Sequence, residues 1–312
     1  MGGRSVVGGL FDPRNGGEAI RIERLTLQRK PFEPVRTNCF SVYLIESGSG
    51  TFWADASSFS FGPDELLFLV PYQHIRFAPD AVTHGVVVQF HANFLCVETF
   101  HAEVGCSGAL FNDPYGIPVV ALSGRVKSEV LNLIERIRQE FDERELAYSE
   151  VMLAHLKVLL VLAARLKNAR AAACRRGANV RHPVLIELSD MIEQNYHLLH
   201  SPAEYARRLH ITAKTLGRIV REHHGTTPTE LIRSRILIHA KWQLLHTLKP
   251  VKEISRELGF HDELYFSRLF KKSTGYSPTF FREFETEIRG GSNLSMSSGH
   301  APIRGSVLTS DT

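Results

Sequence analysis

The chain has 312 residues, 43% hydrophobic and 22% charged, which is enough to bury two separate cores, and its net charge of +4 is mild enough that the placement of Lys and Arg matters more than their sum. No run of about eighteen apolar residues is present and the glycine-rich start lacks the apolar stretch of a signal peptide, which excludes a spanning helix and leads to the expectation of a cytoplasmic protein with no membrane partner. Cys39, Cys96, Cys106 and Cys174 show neither CxxC nor zinc-finger spacing and read as reduced thiols.

Residues 1–19 carry Gly2, Gly3, Gly8, Gly9, Gly16 and Gly17 with few large apolar groups, so a mobile arm is predicted. From 20 to 91 come short segments rich in β-branched and aromatic residues: 22–27, 40–45, 51–53, 59–61, 66–70, 74–77 and 86–90. Turn clusters such as Gly48-Ser49-Gly50 and Gly62-Pro63-Asp64 separate them, which predicts an antiparallel sandwich or barrel whose mouth or interior suits a small ligand. The stretch 93–123 has no clean period and stays unassigned. Two helices follow, over 124–140 and 145–166. The second, with Val151, Leu153, Leu156, Leu159, Leu160 and Ala163, is apolar around much of its circumference and must bury more than one face. Homodimerisation through these helices is expected, and packing inside one monomer is the competing reading.

Residues 168–182 are small and basic and read as a linker, partly helical, that could attract DNA nonspecifically. A helix starts at His182-Pro183, and Ser201-Pro202-Ala203-Glu204 has the form of a capping box. Tyr205, Leu209, Ile211, Leu216, Ile219 and Val220 then supply the apolar positions of a two-helix unit. The stretch 228–248 reads as one continuous helix, and 251–282 as a second two-helix unit. There Gly259 suits the tight turn, Asp262 caps the following helix, and Gly275 and Pro278 end it. The two units align at an offset of 50, Arg218 over Arg268 and Gly225 over Gly275, with one extra residue in the second turn. This is a duplicated helix-turn-helix, whose two reading helices can enter major-groove segments about one duplex turn, roughly 34 Å, apart. Residues 287–312, rich in Gly and Ser, are predicted to be a disordered tail.

The second unit, with Gly259-Phe260, Asp262, Tyr265-Phe266-Ser267-Arg268, Phe270-Lys271, Gly275, Ser277-Pro278 and Phe281-Arg282, closely resembles the signature of the AraC/XylS family of bacterial transcription regulators, and the likeness extends over about 188–282. The segment from Gly62 through Pro71 to His74 is similar to the cupin-type effector domain common in that family. The fold class expected is α+β in two domains: an antiparallel β-barrel or sandwich, cupin-like, with two long helices, then an all-α domain with two helix-turn-helix units joined by a long helix. The expected boundaries are 1–19 arm, 20–167 effector and dimerisation domain, 168–182 linker, 183–286 DNA-binding domain and 287–312 tail.

The resemblance implies DNA contacts from Lys214, Thr215, Arg218 and Arg221 on the first reading helix, and from Glu263, Leu264, Ser267 and Arg268 on the second. Lys271 and Lys272 would touch phosphates. Arginine's planar fork matches the guanine acceptors, although either Arg218 or Arg268 could instead pair with a carboxylate of the fold. Gly217 stands where a polar reader is usual, so this helix either reads less sequence there or comes closer to DNA. Glu263 could accept from a cytosine amine or repel nonspecific DNA. In the front domain, Tyr43, Trp53, His74, Arg76 and His91 are candidates to line an effector pocket, with Arg76 binding an anion; alternatively the aromatics simply fill the barrel.

His74, His84, His91 and His101 lack the tight His-x-His spacing of a metal site, so no metal, cofactor or catalytic residue is expected. The partners implied are double-stranded DNA, a small-molecule effector of unknown identity, a second copy of the chain and RNA polymerase. A metal-dependent cupin enzyme with an appended DNA-binding module, and a regulator needing no effector, are the alternatives. Activation and repression are not distinguished.

Overall fold

The computed structural model describes residues 9–95, 110–111, 115–176 and 182–290. The strand-rich front half forms β1 (Ile20–Leu27), β2 (Phe40–Ser47), β3 (Gly50–Ala54), β4 (Ser57–Phe61), β5 (Glu65–Leu69), β6 (Ile75–Pro79), β7 (Thr83–Phe90) and β8 (Val119–Ala121). Each of the seven predicted segments lies at one of these strands, within three residues at each end, while β8 falls in the stretch left unassigned. The strands make a five-stranded sheet, β1-β7-β2-β5-β8, and a three-stranded sheet, β4-β3-β6, with every pairing antiparallel.

Alternation along β2 separates the two cores of this domain. Phe40, Val42 and Leu44 belong to the layer beneath the helices, whereas Tyr43 and Ile45 join Phe52, Phe61 and Phe77 between the two sheets. Those rings are at most 3% exposed, so aromatic side chains fill the space between the sheets.

The helical layer is α1 (Gly124–Glu143) and α2 (Tyr148–Arg176). Val130, Leu133, Ile134 and Ile137 of α1 meet Met152, Leu153, Leu156, Leu159 and Leu160 of α2 over the five-stranded sheet. Burial against both the sheet and α1 accounts for the apolar circumference of α2 within one monomer, with Val158 left 43% exposed. The helix also enters the predicted linker, running to Arg176, and residues 177–181 lie outside the described residues. So do Cys96, Cys106 and His101, and the side chain of Cys174.

Residues 9–19 differ from the expected mobile arm. Phe11 is buried, its backbone N–H donates to Asn38 Oδ1 at 2.6 Å, and Asp12 caps a short 3-10 turn over Pro13–Asn15. One buried aromatic and an Asp-Pro turn outweigh the glycine content; residues 1–8 lie outside the described residues.

The helical domain comprises α3 (Pro183–Asn195), α4 (Pro202–Arg208), α5 (Ala213–His224), α6 (Pro228–His246), α7 (Val251–Glu257), α8 (Glu263–Thr274) and α9 (Pro278–Arg289). One core, including Leu188, Tyr205, Leu216, Ile236, Leu244, Ile254, Phe266 and Phe270, spans both two-helix units and the connector α6. Thr212, Asp262, Thr227 and Ser277 cap α5, α8, α6 and α9 through their side chains. Ser201 stands at the N-cap of α4 but its hydroxyl makes no capping bond, so the capping box expected there is not formed. Helix α9 passes the predicted boundary at 286, because Ile288 packs against Phe11 and Cys39 of the front domain; residues 291–312 lie outside the described residues.

Candidate nucleic-acid interface and interdomain cavity

The two reading helices present different surfaces. On α8, Leu264 is 64% exposed, Arg268, Lys271 and Lys272 are exposed, and Glu263 and Ser267 are half-buried. The Asp262 carboxylate accepts from Leu264 N at 2.8 Å and fixes the start of this helix. Among the described residues no carboxylate pairs with Arg268, Lys271 or Lys272. On α5, Lys214, Arg218 and Arg221 are exposed, and Arg218 Nη1 is 2.9 Å from Glu222 Oε1. The repeat explains this asymmetry: at the offset of 50, Glu222 corresponds to Lys272, so only the first arginine has an acid one helical turn away. The Thr215 hydroxyl lies 2.8 Å from that of Thr212, inside the N-cap of α5.

Local sequence holds both helices against the rest of the unit. Gly259, at φ +81°, makes the turn before α8, and a Cβ there would lie 2.3 Å from His197 O. Arg282, which sequence reasoning treated only as part of a signature, donates to Leu244 O at 3.1 Å and Lys249 O at 2.6 Å. It ties α9 to the end of the connector.

The front domain is docked on this module through a buried carboxylate that sequence reasoning did not single out. Glu285 of α9, 1% exposed, accepts from Tyr72 OH, from Asn38 Nδ2 at 3.2 Å and from Arg289 Nε at 3.1 Å, and lies 3.3 Å from His91 Nε2. Because Asn93 N donates to His91 Nδ1 at 3.2 Å, it is Nε2 that carries the proton toward Glu285. Burial by itself would raise this carboxyl, but the His91 hydrogen bond, the Arg289 charge and the Tyr72 hydroxyl outweigh it and pull the pKa down to about 2. Tyr72, at φ +66°, places its ring among those of Tyr276 and Phe281 in the helical core. Further contacts run from Asn93 Nδ2 to Ile288 O at 2.6 Å and from Ser58 N to Gly225 O at 3.3 Å.

Beside this contact lies a cavity of about 410 Å³ between the domains. Phe40, Phe68 and Tyr72 line it from the front domain, and Leu237, Lys241 and Phe281 from the helical one. Lys241 Nζ donates to Pro71 O at 3.0 Å, and burial draws its pKa below the ordinary value, with Asp55 and Glu285 opposing. Tyr43, Trp53, His74, Arg76 and His91 do not line this cavity. Tyr43 is packed on Phe77 between the sheets, the Arg76 guanidinium lies 4.0 Å over the Trp53 ring, His74 Nε2 is 3.8 Å from Glu33, and His91 is in the domain contact. Neither domain's sequence pattern marks a cavity whose walls come from both. Among the described residues no three His, Cys, Asp or Glu side chains converge as metal ligands, and no helix is long and apolar enough to cross a membrane.

The family description "Helix-turn-helix domain" matches residues 205–283. The HTH-type transcriptional activator RhaS of Salmonella schwarzengrund (strain CVM19633) is 27% identical over 155 residues, 50% of this chain and 52% of that protein. The chain thus spans about half the length of the curated relatives it matches. Among solved structures, ToxT from Vibrio cholerae O395 aligns over 86% of this chain and 99% of its own, at 13% identity and a TM-score of 0.38. The C-terminal domain of AraT, a response regulator from Geobacillus stearothermophilus, aligns over 33% and 85%, at 26% identity and a TM-score of 0.32.

Proposed function

We propose, from a helix-turn-helix domain of the AraC/XylS type over residues 205–283 and homology to the activator RhaS, that this chain is a sequence-specific DNA-binding transcription regulator. The observation that carries the reading is the pair of exposed, cation-bearing helices α5 and α8 set on one shared core by the 19-residue connector α6. A rigid connector fixes the spacing of two reading heads, as adjacent major-groove segments require. In this reading Arg268, Ser267, Leu264 and Glu263 face base edges, Lys271 and Lys272 face phosphates, and Lys214, Thr215, Arg218 and Arg221 hold the first unit on the duplex. Genome-wide recovery of DNA bound by the protein tests it: enrichment of a shared motif supports the reading, and uniform recovery contradicts it.

The effector site in this reading is the interdomain cavity, and its ligand is a small, largely apolar molecule with an anionic group turned to Lys241. The space between the sheets is filled, whereas this cavity joins aromatic walls to a cation. Tyr72 and Arg289 line the cavity and also bond Glu285, so a ligand touching them shifts the balance between docked and undocked domains. A panel of apolar carboxylates screened by thermal unfolding tests this: a compound that stabilises the protein should lose its effect in Lys241→Met, and an undiminished shift would place the ligand elsewhere. The regulator would act as a homodimer and engage RNA polymerase from its DNA site. Because the apolar stretch of α2 is committed to the monomer core, a dimer seam there would rest on side chains such as Val158, and sedimentation velocity measures whether one forms.

A further inference from the structure

We propose that Gly217 is a seat for a phosphate of the DNA backbone, a point at which the first reading helix rests on the duplex without reading sequence; this builds on the DNA-binding function proposed above. Gly217 occupies the interior of α5, where glycine destabilises a helix relative to alanine because it loses more conformational freedom on folding. Among the described residues, nothing inside the protein requires it. Its backbone is not in the left-handed region, and apart from its chain neighbours and the backbone of its own helix a Cβ built on it would meet no described atom within 4 Å. Gly225 and Gly259 differ on both counts, since each has a positive φ and a Cβ there would lie within 2.5 Å of a backbone oxygen.

The reason for the bare backbone therefore lies outside the chain. Gly217 forms part of a shallow concavity with Lys214, Thr215, Arg218, Arg221 and Glu222. Lys214 and Arg221, three residues before and four after, share its stripe of the helix, and neither pairs with a carboxylate among the described residues. Glu222, the one acid of the concavity, is held by Arg218. An anion approaching this stripe meets two free cations with helix backbone between them, and the missing side chain lets it come closer than any other residue would allow.

The repeat identifies the anion as backbone rather than base. The equivalent stripe of α8 is Leu264, Ser267 and Lys271, which keeps an apolar group and a hydroxyl to read with. The stripe of α5 has replaced both, by Lys214 and Gly217. A glycine inside a helix has no side-chain donor or acceptor, and its backbone N–H is committed to the helix, so it can distinguish no base.

Gly217→Ala in the full chain separates stability from binding. Thermal unfolding should move up by roughly 1–4 °C, as expected for alanine at an open helix position. Affinity for a duplex selected from a random pool and for a scrambled duplex should fall together, by about threefold or more, as for loss of a phosphate contact. Unchanged or tighter binding at the raised unfolding temperature would overturn the proposal, and so would a loss confined to the selected duplex, which would put Gly217 against a base. Lys214→Gln and Arg221→Gln should each lower the slope of log affinity against log salt by about 0.9, and unaltered slopes would also overturn it. If the unmodified protein bound no duplex, the DNA-binding function itself would fail, a result distinct from failure of the seat alone.

Discussion

Arg218 and Arg268 hold equivalent places in the two reading helices, yet one guanidinium faces Glu222 at 2.9 Å and the other pairs with no acid among the described residues. An exposed pair of this kind holds its arginine by less than about 1 kcal/mol, enough to weaken a base contact but too little to forbid one. Arg268→Ala should therefore reduce binding to a selected duplex by about tenfold or more and to a scrambled duplex much less, since a good bidentate base contact is worth about 1–3 kcal/mol. Arg218→Ala should cost less specificity. Fluorescence anisotropy on the two duplexes reads both, and equal losses on both duplexes for Arg268→Ala would make it a backbone contact. Glu285 allows a pH prediction at the same scale. Its carboxyl is lowered from the ordinary 4.5 to about 2, so its stabilisation is complete above the unfolded value and disappears as the pH falls through about 2. The gap in denaturant midpoint between the wild type and Glu285→Gln should be largest near neutral pH and close between about pH 4.5 and 2. A gap independent of pH would mean that the ionised carboxylate is not what holds the contact.

Elements whose signal is local were legible in the sequence. Short β-branched and aromatic segments between turn clusters located seven strands, and apolar stripes located the long helices. The turn residue Gly259 and the cap Asp262 behave as their chemistry dictates. Gly259→Ala combines a positive φ with a Cβ 2.3 Å from His197 O, and should lower stability by about 1–3 kcal/mol or more in a denaturant titration; an unchanged midpoint would mean that the turn relaxes around the methyl group. Signals that depend on what lies across an interface were not legible. Whether Tyr43 faced a pocket or a filled core depended on how closely the second sheet packs, and Phe52, Phe61 and Phe77 take that space. The last helix runs past the predicted 286 for a related reason, while the first begins at Pro183 as its sequence predicts. Ile288 continues α9 past 286 only because Phe11 and Cys39, more than two hundred residues earlier, are there to bury it.

At the scale of the whole molecule, the front domain holds the helical module through one buried acid, the apolar contacts of Tyr72 and Ile288 and a few hydrogen bonds to the backbone, beside a cavity that shares two of the same side chains. Glu285, Tyr72, Asn38 and His91 carry no sequence signature as a group, because they meet only when the domains dock. The duplicated helices, in contrast, could be read directly, since the second reading helix repeats the first at an offset of 50 with one extra residue in the turn before it. In the proposed function the two copies are unequal, α8 reading most of the sequence and α5 mainly holding the backbone. Sequence-specific DNA binding is tested most directly by equilibrium binding of the 312-residue chain, at fixed salt, to a duplex it selects from a random pool and to a scrambled duplex of the same composition. The prediction is a preference of about 10³-fold or more for the selected duplex; equal affinity for the two would contradict it.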